Sequence, residues 1–567
     1  MPINSIILDL DDTLYDCTGS LVELARRKAA QAMVEAGVPC SAEDAYRLQV
    51  ELSEKYGPYY LVFDAIAKRY GMGASMVEKA LHAYNSDEVP PIHPFPLVVP
   101  TLRQLRAEDY RLILLTTGIH RRQQRKIELL GLRDYFDEVI INDQERGVPL
   151  ADCFRGILNR YHLTPRQVAC VGDRVRDEIR VGNDLGMTTV QMIHGRFAHE
   201  TGPNGLERPQ YKIKRIYQLP TILGLANLGK GPDKLRVLAV GGGTGLPMVL
   251  EGAKTYSRNL TAVVTVTDSG RSSGKLREEY GVLPPGDARN CLVALSESED
   301  RERDLYDLFQ YRFKGGSLDG MSLGNLLMTA LADMTGSFER AIAKASKILA
   351  IRGKVLPSTL EDTHICAELE DGSIIEEELN VRRPGKSPIK RVFLQSDTAE
   401  ASPDVIEEIE RADLIVLGPG SLYTSVISNL LVRGIPEAIR RSKAKKVYVC
   451  NIVTQPGQTD GYTAADHVKA ITRYLGDGIL DCAIVNRHVP KEEVMKRYRS
   501  ESAEIASVTS ALDALGVPVR EADLVEDLDQ GRVLWEKQDL LRHDPDKLGD
   551  AICRFYAGVS PLETYGQ

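Results

Sequence analysis

The chain has 567 residues, 43% of them hydrophobic and 27% charged, and a formal net charge of −9. That length is more than one hydrophobic core serves at ~100–200 residues per domain, and the composition is that of an ordinary globular protein. The acidic balance argues against a general affinity for nucleic acid or for anionic membrane surfaces.

Nine cysteines are scattered without a C-x-x-C pair or a His-rich neighbour. Such spacing fits reduced thiols and a cytoplasmic protein better than a disulfide framework or structural zinc. Asp9, Asp11 and Asp12 interrupt the first apolar run, so no secretory signal is expected. No apolar stretch approaches the ~18–20 residues of a membrane span.

In chain order, residues 3–8 read as a buried strand ending at Asp9, and 19–87 as amphipathic helices broken at Gly37-Val38-Pro39, Gly57-Pro58 and Gly71-Met72-Gly73. After a Pro-rich stretch from Val89 to Pro100, strands at 111–115, 138–141, 168–171 and 188–192 alternate with helices at 121–130, 152–161 and 177–185. That order predicts a parallel sheet flanked by helices. Residues 226–234, ANLGKGPDK, read as an interdomain linker. Strand 235–240, helix 246–254 and strand 261–267 then restart the pattern, and strands recur at 413–417, 446–450 and 481–485. The middle, 352–411, reads as irregular with a strand-like 363–369, and 490–567 as charged and mostly helical. The expected fold class is α/β, with two Rossmann-like parallel-sheet domains and a helical cap, about 16–90, inserted in the first.

Asp9-Leu10-Asp11-Asp12-Thr13 follows directly on the first strand. Residues i and i+2 leaving a strand project to one side, so Asp9 and Asp11 can face one pocket. Two such charges ~4 Å apart repel by roughly 4 kcal/mol at an effective dielectric near 20, a penalty that Mg²⁺ removes. The strand at 111–115 ends in Thr116-Thr117-Gly118, and the one at 168–171 ends in Gly172-Asp173, with Asp177 and Glu178 close behind. These segments resemble the motifs of the haloacid dehalogenase superfamily over about 1–225. The resemblance implies a Mg²⁺-dependent hydrolase of a small phosphomonoester, with Asp9 as nucleophile and Asp11 as acid and base. It also implies that Thr116 holds a phosphate oxygen and that Asp9, Asp11, Asp173 and Asp177 or Glu178 hold the metal. Val148 stands where that superfamily places a lysine before Pro149. Loss of such a charge costs roughly 100- to 1000-fold in rate. Arg146 and Arg174 are the candidates to replace it, and a degenerate binding domain is the alternative.

The strand at 235–240 ends in Gly241-Gly242-Gly243-Thr244-Gly245 before a helix, a loop suited to a diphosphate. Leu246 replaces the third glycine of a dinucleotide fingerprint, which turns the reading away from NAD and FAD. Polar loops follow other strands at Asp268–Gly274, Pro284–Asn290, Ser322–Asn325, Gly418–Ser425 and Asn451–Gly461. Loops of this kind at one sheet edge describe a ligand crevice. Arg271, Lys275, Arg277 and Arg289 are either a diphosphate clamp or a solvated helix face.

The phrases LPPGDARNCLVAL, LFQYRFKGG, LGPGSLYTS and TQPGQTDGYTAADHV resemble the YvcK/CofD-like family from 235 to 567. That family includes bacterial gluconeogenesis factors, which bind UDP-sugars and support cell shape, and 2-phospho-L-lactate transferases. The resemblance implies ligand contacts at Gly242, Gly243, Thr244, Asp268, Asn325, Gly418, Gly420, Ser421 and Asn451. It implies a nucleotide-sugar partner, UDP-N-acetylglucosamine or UDP-glucose. A transferase and a purely regulatory binding protein are the competing readings, and self-association as a homo-oligomer stays open. Ser269, Arg271, Met321 and Leu323 depart from the family's usual pattern.

Overall fold

Continuous apolar runs can be buried on both faces only between layers of helices, and two parallel sheets take them up. The computed structural model describes the chain except for residues 1, 144–146, 201, 203, 297–302, 563–567, 527–540 and most of 490–514. Residues 1–228 form one compact unit and 229–561 the other.

In the first unit the strands are β1 (Ser5–Leu8), β2 (Arg111–Gly118), β3 (Glu138–Asp143), β4 (Val168–Gly172), β5 (Thr188–Met192) and β6 (Tyr211–Ile213), ordered β3-β2-β1-β4-β5-β6. All five pairings are parallel. Four helices, Glu23–Glu35, Ala42–Tyr56, Val62–Tyr70 and Ala74–Tyr84, form the insertion between β1 and β2. They pack around their own core of Ala29, Met33, Leu48, Ile66 and Ala80.

The second unit has a seven-stranded sheet ordered β16-β15-β14-β13-β7-β8-β9. Its members are β7 (Arg236–Gly241), β8 (Asn259–Val264), β9 (Lys354–Pro357), β13 (Leu414–Leu417), β14 (Lys445–Val449), β15 (Cys482–Asn486) and β16 (Val519–Ala522). Within 352–411 the chain is more regular than its sequence suggests. There β10 (Ile365–Leu369), β11 (Ile374–Glu376) and β12 (Ile389–Leu394) make an antiparallel sheet, with the acidic Glu370-Asp371-Gly372 as the turn.

Two expectations on the chain's course need correction. Asn227 still belongs to the helix Leu219–Asn227, so the connecting segment is shorter than 226–234. That segment is also tied down, Lys230 to Asp413 at 2.6 Å and Asp233 to Arg258 at 2.9 Å. The mostly helical reading of 490–567 falls in large part outside the described residues; where the chain is described it holds for the helix Pro545–Ala557, and β16 is the exception.

The helix Gly245–Ala253, which follows the glycine-rich loop, is braced by the helix Pro545–Ala557. Their backbones touch at Gly252 and Gly549, where a Cβ on either glycine would strike the main chain of the other helix. Beside this crossing the buried Asp550 accepts from the Tyr256 hydroxyl and from Arg554, each at 3.0 Å. Gly549→Val should therefore lower unfolding stability by roughly 1–3 kcal/mol, the usual cost of overpacking, read as a lower urea midpoint at unchanged slope.

Candidate functional site

Parallel pairing sets Leu8 of β1 against Leu114 of β2 and Val171 of β4. At one edge Asp9 and Asp173, which follow β1 and β4, lie beside the end of β2 that carries Thr116. The Asp9 N–H donates to the Val171 carbonyl at 2.9 Å, which pins the turn. Asp9, Thr116, Asp173 and Glu178 are all buried. A Cβ on Gly172 would lie 3.1 Å from Glu178, so the glycine before Asp173 admits that carboxylate to the site.

Burial and mutual repulsion dominate the electrostatics. Asp9 and Asp173 are both pushed well above the ordinary carboxylate range, first by desolvation and then by Glu178. Desolvation likewise raises Glu178 to about 7, against relief from Arg174. The Arg174 guanidinium is the cation that eases Asp9, and it packs 5.0 Å from the Phe197 ring centroid. Asp11 behaves differently. Burial pushes it upward, but the charge and hydrogen bonds of Lys126, with Tyr15 and Gln123, hold it at about 2.

The Asp173 Oδ1 and Glu178 Oε2 atoms are buried without a hydrogen-bond partner. An all-oxygen set of repelling carboxylates with unused lone pairs fits a hard divalent cation. Asp9, Asp173 and Glu178 are the residues suited to hold it, with Asp11 committed to Lys126. Asp177 is not part of this set, because it is half-exposed and paired with Arg174 at 3.5 Å. Among the described residues, ligand atoms already drawn within 4.8 Å of one another belong to a different trio, Asp12, Asp16 and His194. Of the two replacement cations considered, Arg174 sits at the site and Arg146 lies outside the described residues. Glu178→Gln should raise the melting temperature in metal-free buffer at pH 8 and abolish stabilisation by Mg²⁺, whereas Asp177→Asn should alter neither by more than about 1–2 °C; differential scanning fluorimetry reads both.

In the second unit β7 and β13 are parallel neighbours, with Val240 opposite Leu417. Their loops leave the same edge and pack together. Gly243 needs its positive φ of 65°, and a Cβ on Gly245 would collide with the Pro419 carbonyl. Gly420 approaches the Gly242 carbonyl, and Asn451 from the end of β14 donates to the Gly420 carbonyl at 2.8 Å. Ser421 accepts from Gln458 at 3.4 Å. Asn325, in the first turn of the helix Leu323–Thr335, donates to Ser272 at 3.1 Å. The Asn325 Oδ1, Asn451 Oδ1, Gln458 Oε1 and Thr424 Oγ1 atoms are buried and without partners. Thr244 opens the helix Gly245–Ala253 and is exposed.

Asp268 accepts from the Gly270 N–H at 2.8 Å and stands beside two carboxyls that sequence reasoning missed, Asp287 and Glu378. Glu378 comes from the antiparallel insertion and accepts from the Ser269 N–H at 3.2 Å. Desolvation and then Asp268 raise Asp287 to about 7 and Glu378 to about 8.

Residues 237–525 match the family model described as 2-phospho-L-lactate transferase CofD, and residues 3–186 match haloacid dehalogenase-like hydrolase. The gluconeogenesis factor of Halalkalibacterium halodurans is 47% identical over 56% of this chain and 96% of its own. That of Bacillus subtilis is 43% identical over 56% of this chain and 98% of its own. A crystal structure of a Bacillus halodurans protein, 46% identical, covers 56% of this chain and 99% of that one with a TM-score of 0.53. The chain belongs to the CofD-like gluconeogenesis factor family. It carries in addition a haloacid dehalogenase-like hydrolase domain at its N-terminal end. No helix among the described residues is long and apolar enough to cross a membrane.

Within this gluconeogenesis factor domain Arg277 and Arg289 do not join the suggested basic clamp. Arg277 is buried and turned to the Thr363 carbonyl, to Asp362 and to His364. Arg289 is buried among the Phe309 carbonyl, Ser322 and Asn290. Lys275 is exposed, and the Arg271 side chain lies outside the described residues. Asp287 and Glu378 hold their protons more tightly folded than unfolded, so their contribution to stability is fully present below the unfolded carboxyl range and is lost as pH rises through 7 and 8. The melting temperature of the protein should fall between about pH 6 and pH 9, and Glu378→Gln should flatten that fall.

Proposed function

We propose that the second unit binds a nucleoside-diphosphate sugar and that the first hydrolyses a small phosphomonoester. The observation that carries the binding reading is the pair of glycine loops, Gly241–Gly245 and Gly418–Ser421, packed at one sheet edge beside buried amide oxygens without partners. Backbone N–H groups at the start of the helix Gly245–Ala253 suit a diphosphate, and the positive end of the helix favours its charge. Asn325 and Asn451 offer their free amide oxygens to hydroxyl or imide donors of a uridine nucleotide.

In the first unit Asp9 attacks the phosphorus atom and takes the phosphoryl group as an aspartyl-phosphate, and the leaving-group oxygen departs. Thr116 steadies a phosphate oxygen by its hydroxyl. Asp11, ionised through Lys126, takes a proton from the water that then hydrolyses the aspartyl-phosphate. Asp9, Asp173 and Glu178 would hold a Mg²⁺, and the chemistry it would supply is neutralisation of phosphate charge. An ionised Asp11 makes p-nitrophenyl phosphate, whose leaving group needs no proton, the substrate of first choice.

Phosphate release from that ester should require Mg²⁺ and drop to background in Asp9→Asn. Failure of a broad phosphomonoester panel to exceed the Asp9→Asn background would leave a binding relic. Calorimetry of the whole chain should show UDP-N-acetylglucosamine or UDP-glucose bound without consumption, and no binding in Gly243→Asp, where a carboxylate would meet the diphosphate. Preference for GDP with transfer to an acceptor would replace this reading with a transferase.

A further inference from the structure

The lysine missing at position 148 leaves a question of where the phosphoryl site obtains its fixed positive charge. Val148 is 44% exposed, and its carbonyl accepts from Asn142 at 3.2 Å. The helix His120–Leu130, which follows β2, reaches the site instead. Lys126 Nζ donates to both oxygens of Asp11, at 2.9 and 2.8 Å. One turn earlier, Gln123 Nε2 donates to the Thr116 hydroxyl at 2.5 Å and to Asp11 Oδ2 at 3.3 Å. The Tyr15 hydroxyl completes the set at 2.6 Å from Asp11 Oδ1.

We propose that Lys126, seated beside Gln123, is the positioning residue of the phosphoryl site, and that it supplies from the helix after β2 the charge that position 148 lacks. The proposal rests on the reading of Asp9 as a phosphoryl-transfer nucleophile. A lysine 3% exposed has given up its hydration, and both oxygens of Asp11 take the place of that water. Residues three apart lie on one helix face, so Gln123 and Lys126 act on the site together. Gln123 spans residues from two strands, Asp11 beyond β1 and Thr116 in β2, and thereby sets the distance between the water-activating carboxylate and the phosphate-holding hydroxyl. With four donor contacts, Asp11 has a single available orientation. That is the kind of preorganisation on which the rate of an oriented reaction depends. Lys126 touches Asp11 and not the substrate position, so its loss should be felt in turnover more than in substrate affinity.

The test uses the whole chain with p-nitrophenyl phosphate and Mg²⁺, and orthovanadate binding measured by calorimetry as a readout that needs no turnover. Lys126→Met should lower kcat about 100-fold or more with KM within about threefold, and weaken vanadate at least about tenfold. Lys126→Arg should keep kcat within about tenfold of the parent, and Val148→Lys placed in the Lys126→Met chain should recover part of the loss. Gln123→Met, which removes no charge and keeps the fold if Lys126→Met does not, should lower kcat about tenfold at nearly unchanged melting temperature. A folded Lys126→Met chain with parental kcat or parental vanadate affinity overturns the proposal. Vanadate binding that depends on Lys126 in a chain without turnover sinks the hydrolase reading and keeps this one. A parent chain that neither turns over nor binds vanadate overturns both.

Discussion

Buried carboxylates crowded at one end of a parallel sheet are the constraint around which the first unit is organised. Because β1 lies between β2 and β4, the residues that follow their ends cannot avoid one another, and Asp9, Asp173 and Glu178 meet where water is excluded. Each carboxylate raises its neighbours, and at ~4 Å a pair costs about 4 kcal/mol at an effective dielectric of 20. The unit answers with two cations. Arg174 eases Asp9, Asp173 and Glu178, while Lys126 is committed to Asp11. Four acidic groups against two cations leave a surplus of negative charge, which a divalent metal would balance.

The second unit uses the same edge of a parallel sheet for different chemistry. Here the loops after β7 and β13 are main chain packed against main chain, with side chains excluded by contacts such as Gly245 on Pro419. Polarity comes from oriented N–H groups and amide side chains as well as from repelling carboxylates. The acidic residues Asp268, Asp287 and Glu378 gather beside these loops, with Asp287 against Gly242 and accepting from the Gly243 N–H, and the antiparallel insertion delivers Glu378 to the Asp268 loop. An insertion that looked irregular in sequence therefore contributes a buried titratable group to the edge of the proposed nucleotide crevice.

Which cation a site uses proved harder to read than which carboxylate. Arg277 and Arg289 look like ligand-facing charges in sequence, yet both end on buried carbonyls and hydroxyls of their own unit. Lys126 lies 115 residues from the Asp11 it pairs with. A signal was present in its own helix, because Gln123 and Lys126 share the buried face with Ile127 and Leu130, where apolar residues belong. The choice of Glu178 over Asp177 had no such signal. Adjacent residues entering a helical turn differ by ~100° in direction, and only the packing against Gly172 decides which one turns inward.

Sequence alone determined the two α/β units, the order of their strands along the chain and the strand-end position of Asp9, Thr116, Asp173 and the glycine loops. These follow from local patterns: apolar runs of strand length, two-residue spacing beyond a strand, and glycines that admit a close approach. Tertiary structure decided the sheet order, the antiparallel insertion between β9 and β13, the choice of Glu178, and the source of positive charge beside Asp11. Several of those depend on contacts between residues more than a hundred positions apart, as with Lys126 and Asp11 or Glu378 and the Ser269 N–H. Burial turns such contacts from optional into obligatory, since a charge removed from water must find its partner wherever the fold has brought one.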